Sequence, residues 1–140
     1  MDNIKILKVY EDGDLLEYNI EAKNEFVSIW QQFYVGKVDL KTNLENILNL
    51  LHNKQSVKYF EFGKMTGNFT PAFSMDIEKV DELGNLRIEL DLGINDNELR
   101  LQRCTMYVET DVGLFEKFIN KFSLSINQNC GTECVLVDNM

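Results

Sequence analysis

Gly84-Asn85-Leu86-Arg87-Ile88-Glu89-Leu90-Asp91-Leu92 carries the clearest pattern in the chain. Leu86, Ile88, Leu90 and Leu92 alternate with Arg87, Glu89 and Asp91, which puts apolar and charged groups on opposite faces of an extended strand. The turn Asp81-Glu82-Leu83-Gly84-Asn85 precedes it, and Asn95-Asp96-Asn97 is a second turn beyond it. Upstream, Phe73, Met75 and Ile77 alternate with Ser74, Asp76 and Glu78. Downstream, Leu99 and Leu101 share one parity, while Cys104, Met106 and Val108 share the other. That switch inside one strand predicts a β-bulge near Gln102-Arg103. Residues 57–62 are a further strand with Phe60 and Phe62 on one face. Short turns between strands imply antiparallel pairing.

The N-terminal part reads the same way. Residues 4–10 are β-rich and end at Glu11-Asp12-Gly13-Asp14, an Asp-Gly turn. Leu16, Tyr18 and Ile20 alternate with Glu17, Asn19 and Glu21 and complete a hairpin. Residues 26–35 are a third strand, apolar on both sides: Val27, Ile29, Phe33 and Val35 on one, Phe26, Trp30 and Tyr34 on the other. After Gly36, Thr42 and Glu45 have the spacing of a capping box, and Leu44, Ile47, Leu48 and Leu51 form one helical stripe. A closing helix starts at Thr110-Asp111 and buries Leu114, Phe115, Phe118, Ile119 and Phe122. The expected fold is α+β: one large antiparallel twisted sheet of about seven strands, with a split or a strong curvature left open, and two helices packed on it in the order βββ-α-ββββ-α. Residues 1–122 are read as a single domain, and 123–140 as a C-terminal tail, partly ordered at most. Within it, Val135-Leu136-Val137 either adds an edge strand or frays.

Composition excludes several functions. The 140 residues are 44% hydrophobic, enough for one core. No apolar run nears the ~20 residues of a membrane span. Met1-Asp2-Asn3-Ile4-Lys5 is unlike a signal peptide, so a cytoplasmic protein is expected. Fifteen Asn and eleven Lys against three Arg and one Pro suit a low-GC, bacterial gene. A net charge of −9 and a pI of about 4.6 argue against nucleic acid, whose phosphates need a basic face.

Chemistry-bearing motifs are few. Cys104, Cys130 and Cys134 are an odd number, read as reduced thiols. Cys130-Gly-Thr-Glu-Cys134 has neither the C-x2-C spacing of many zinc sites nor that of a redox pair. His52 is the only histidine, so any Ser-His-Asp or Cys-His site would have to use it. It falls at a helix end outside the Leu stripe, where a solvated side chain is the simpler reading. Gly36-Lys37 and Gly63-Lys64 lack the spacing of a phosphate loop. Asn68-Phe69-Thr70 is a glycosylation sequon without use in the cytosol. Glu89, Asp91 and Glu109 share a sheet face; a glycosidase or cation site needs such acids held close, but an ordinary wet face is the simpler reading. No enzyme activity, cofactor or metal is expected.

Two features are left. Residues 76–116 hold 11 acids and four bases, so −7 of the −9 lies there. Such a field either keeps the protein soluble or steers a basic partner. Phe26, Trp30 and Tyr34 need cover, and a helix is the simpler expectation, with a partner as the alternative.

The segments Gly84 to Leu92, Cys104-Thr-Met-Tyr-Val-Glu-Thr-Asp111 and Leu114-Phe-Glu-Lys-Phe118 give the chain a layout that resembles small immunity proteins of bacterial polymorphic and contact-dependent toxins, notably the WapI-type group. The resemblance implies a cytosolic inhibitor that binds a cognate toxin domain and blocks its active site, and it supplies no catalytic residue. The expected function is therefore a non-enzymatic binding module that occludes a basic protein partner. Its expected surface combines Glu78, Glu89, Asp91, Asp96, Glu98 and Glu109 with the anchors Trp30 and Tyr34. The alternative is a small-molecule-binding domain, with Phe60, Phe62, Phe69, Phe73 and Met75 lining an apolar pocket between sheet and helices. Either a monomer or a homodimer is compatible with the chain, since an unpaired edge strand can pair with its own copy.

Overall fold

A computed structural model describes residues 1–66, 70–97 and 100–137, with the backbone alone at 95–97. Its elements are β1 (Asn3–Asp12), β2 (Leu15–Lys23), β3 (Ser28–Gly36), α1 (Lys37–Leu51), β4 (Tyr59–Phe62), β5 (Ala72–Lys79), β6 (Asn85–Asn97), β7 (Arg100–Asp111), α2 (Val112–Ser125) and β8 (Glu133–Val135). The fold is α+β, and every strand pairing is antiparallel. The strands form two four-stranded sheets, ordered β3-β2-β1-β8 and β4-β5-β6-β7. The eighth strand comes from the C-terminal segment. Cys134 lies opposite Ile6, so β8 extends the first sheet beyond β1.

The inner faces of both sheets and one stripe of each helix bury a common core. At its centre is an aromatic knot. Phe62 stacks on Phe73 at 4.6 Å, and Phe73 meets Phe33 edge-on at 4.7 Å. Tyr18 stacks on Phe33 at 5.4 Å, and Phe122 of α2 stacks on Phe62 at 5.9 Å. These rings come from both sheets and from α2, so the knot holds the two sheets and that helix together. Each fully buried aromatic side chain contributes roughly 2–3 kcal/mol by area alone.

The helices differ in how they begin. Asp111 caps α2 as expected, its Oδ1 accepting from Leu114 N at 2.8 Å. The expected capping box of α1 is not used. That helix starts at Lys37, five residues before Thr42, with Gly36 as N-cap and no side-chain cap. Strand β3 runs straight into it, and Lys37 N donates to Asp14 O at 2.7 Å in the β1–β2 turn. The turn carbonyl thus takes the role the Thr side chain was expected to fill. Leu40 consequently joins Leu44, Ile47 and Leu51 on the buried stripe.

The expected bulge near Gln102-Arg103 is also absent, since Gly93↔Arg103 and Ile94↔Gln102 pair without a break. The register shifts instead between Asn95 and Asn97. Leu101 is 60% exposed, so the hairpin tip runs past the core and no parity change is needed to bury it. The pairing is broken once more at Val9, between the pairs Lys8↔Tyr18 and Tyr10↔Glu17.

Lys8 is fully buried among these elements. Its Nζ donates to Glu11 Oε1 at 2.7 Å and to the carbonyls of Ser125, Ile126 and Gln128 at 3.1, 3.1 and 2.7 Å. It therefore satisfies the open carbonyls where α2 ends. Glu11 also accepts from Lys37 Nζ at 2.7 Å, which links the start of α1 to the end of α2. Where β4 ends, Gly63 has φ +84° and packs against β3. A Cβ there would lie 2.8 Å from Tyr34 O, so glycine is needed both for the turn and for the close approach.

Candidate protein-docking site

Residues opposite one another in an antiparallel sheet share a face. In the second sheet the register lines up Tyr59, Asp76, Glu89 and Tyr107 across all four strands. The next row toward one end is Glu78, Arg87 and Glu109; toward the other it is Glu61, Ser74, Asp91 and Thr105. Four of the expected site residues, Glu78, Glu89, Asp91 and Glu109, are therefore gathered on one outer face. Of the other two acids, the side chain of Asp96 and all of Glu98 lie outside the described residues.

The rows differ in compensation. Arg87 Nη2 approaches Glu109 Oε1 at 3.3 Å, and Arg103 Nη2 approaches Asp91 Oδ2 at 3.4 Å. The row of Asp76 and Glu89 contains no basic residue, so two carboxylates face each other across neighbouring strands. Like charges in that position destabilise a sheet modestly. Strand spacing makes the whole row about 14 Å wide. Tyr59 and Tyr107 bracket it and are 47% and 49% exposed. These tyrosines were missed as site residues, although their parity with Glu61 and Glu109 was legible.

Trp30 and Tyr34 lie elsewhere, on the outer face of the first sheet. The expected helix cover is not found among the described residues, since both helices pack on the inner side: Phe26 is 84% and Trp30 58% exposed. Trp30 stands opposite Glu21, and Tyr34 opposite Glu17. Burial and the adjacent Glu17 raise the Tyr34 hydroxyl above its usual pKa. The acids and these two anchors thus belong to different sheets. Phe26 comes nearer the acidic face, because Asn24 accepts from Phe26 N at 2.8 Å and donates to Tyr107 O at 2.8 Å.

No protein-family model matches the chain, and no curated protein or solved structure is found to be similar to it.

The remaining candidates have structural surroundings. His52 is the C-cap of α1, and its Nε2 lies 3.2 Å from Glu116 Oε1 of α2. Cys134 is buried, which pushes its thiol up to about 11, away from the reactive thiolate. Cys130 is exposed. Among the described residues, no group of three His, Cys, Asp or Glu side chains could hold a metal ion. No helix of the described residues is long and apolar enough to cross a membrane. Phe60, Phe62, Phe73 and Met75 are buried core, and Phe69 lies outside the described residues. A cleft of about 460 Å³ opens where β3, α1 and β4 meet, and its lining is mixed, with Leu15 and Val35 beside Tyr34, Asp39, Asn43 and Glu61.

Proposed function

We propose that this protein is a non-catalytic binding module, an immunity protein that neutralises a bacterial toxin in the cytosol by covering its basic active site. The observation that supports this most is the uncompensated row Tyr59-Asp76-Glu89-Tyr107 on an outward sheet face. Around it that face carries Glu61, Glu78, Asp91 and Glu109, with Arg87 and Arg103 as its basic residues. Two adjacent carboxylates repel each other in the free protein, and a cation from a partner relieves that repulsion on binding. The flanking tyrosine rings then pack on the cation and help exclude water. The wider negative field speeds encounter with a basic cleft. Inhibition by this route is occlusion and needs no catalytic residue.

The test is titration with the basic domain of any toxin that a gene beside this one encodes, read by calorimetry and by the toxin's activity. Sub-micromolar binding that weakens with salt is expected, with a further loss of about tenfold or more in Glu89→Lys. Absence of binding, or binding indifferent to both salt and the charge reversal, overturns the reading.

A further inference from the structure

We propose that the outer face of the first sheet is a homodimer interface, on which a second copy of this chain sits antiparallel to the first. The register places Leu15, Tyr34, Tyr10, Leu7, Trp30 and Val135 on this face. Three of them, Trp30, Tyr10 and Leu15, are 58%, 55% and 47% exposed. Large apolar side chains in such number are unusual on the solvent side of an antiparallel sheet. Tyrosine and tryptophan are also the side chains that most often anchor interfaces.

Charge identifies the occupant. Lys5 and Lys23 offset Asp12, Glu17, Glu21 and Glu133, so this face carries −2 while the whole chain carries −9. A second −9 molecule meets less repulsion here than on the acidic face of the second sheet. Net charge is also graded along the strands, from +1 at one end (Lys5, Lys23 and Glu21) to −2 at the other (Asp12 and Glu17). Lys5 and Lys23 lie toward one end, in the rows Lys5-Glu21-Trp30 and Asn3-Lys23-Ser28. Asp12 and Glu17 lie toward the other, in the rows Asp12-Leu15-Gly36 and Tyr10-Glu17-Tyr34. A twofold axis across the strands sets the lysine end of one copy on the acidic end of the other. The same rotation brings Trp30 over Tyr34 of the second copy. Such an interface is isologous, the commonest kind in soluble dimers.

The size is sufficient. Three to four strands at 4.8 Å spacing, about nine residues long, cover roughly 450 Å² in projection. Two copies together bury about the 1,000 Å² that a specific interface requires, before side-chain relief is counted. The acidic face of the second sheet stays open in this dimer, so the interface does not rest on the proposed toxin binding.

Sedimentation velocity from about 1 µM to about 1 mM tests it. The mass is expected to rise from 16.3 kDa to twice that value. Trp30→Ala should weaken association about thirtyfold, as loss of a large aromatic anchor does, whereas Glu89→Lys should leave it unchanged. The antiparallel arrangement has its own test in exposed positions that do not disturb the core. Lys23→Glu and Asp12→Lys should each weaken the dimer, and the double variant should recover it. A monomer at every concentration overturns the proposal and leaves this face to an unrelated partner. A double variant no better than the single ones, or a Trp30→Ala variant that dimerises like the parent, also overturns it.

Discussion

Lys8 is the group whose burial costs the most free energy, since a bare ammonium out of water is penalised by several kcal/mol. One carboxylate and three helix-end carbonyls offset that cost. Lys8→Met leaves the carbonyls of Ser125, Ile126 and Gln128 without this donor. Urea unfolding should show a loss of about 3 kcal/mol. Glu11 gives the network a pH dependence. The Lys37 hydrogen bond, and next that of Lys8, hold its carboxyl down to about 2 from an ordinary 4.5. A pKa lowered by folding stabilises the folded state above the unfolded value. That stability is fully present above about pH 4.5 and lost as pH falls toward 2. Glu11→Gln should flatten the acid limb of a stability–pH curve in that window. A curve identical to the parent would separate Glu11 from acid unfolding.

At the scale of elements, the two helix starts make opposite predictions from similar sequence signals. Asp111→Ala should destabilise by about 1 kcal/mol, because its carboxylate caps α2. Thr42→Ala should stay within about 0.5 kcal/mol, because Thr42 lies inside α1 and caps nothing. Chemical denaturation of both variants checks the pair. Thr42 and Glu45 had the correct spacing, but the cap used is a carbonyl from Asp14, a tertiary contact that no local pattern contains. Period-2 alternation was the most legible signal. It placed Glu78, Glu89, Asp91 and Glu109 on one face, because parity alone determines that once strands pair in register. It did not separate the strands into two sheets. That division rests on long-range contacts, such as Gln31 Nε2 donating to Ala72 O at 2.8 Å where β3 meets β5. Nor did it associate Lys8 with an interior position, since a lysine in an alternating strand normally points to water.

Taken whole, the molecule has two outer sheet faces of different character. One is acidic and bracketed by Tyr59 and Tyr107; the other is nearly neutral and aromatic. Sequence counting found the acid excess but combined both faces into one surface, because parity says nothing of which way a whole sheet points. Separate faces predict separate responses to salt. Binding of a basic partner to the acidic face should slow in association as salt rises, with dissociation nearly constant. Stopped-flow kinetics at two ionic strengths checks this, and a salt effect confined to dissociation would contradict long-range steering.

The adjacency of β1 and β8 also bears on how the chain is made. Lys8 and the free edge of β1 leave the ribosome early, whereas their partners, residues 125–128 and 133–135, are translated more than a hundred residues later. Through most of synthesis the nascent chain therefore keeps Lys8 in water and the edge of β1 open, and an open strand edge is suited to chaperone capture. A ribosome stalled before residue 125 should display a protease-sensitive chain, and one stalled well past residue 135 a resistant one.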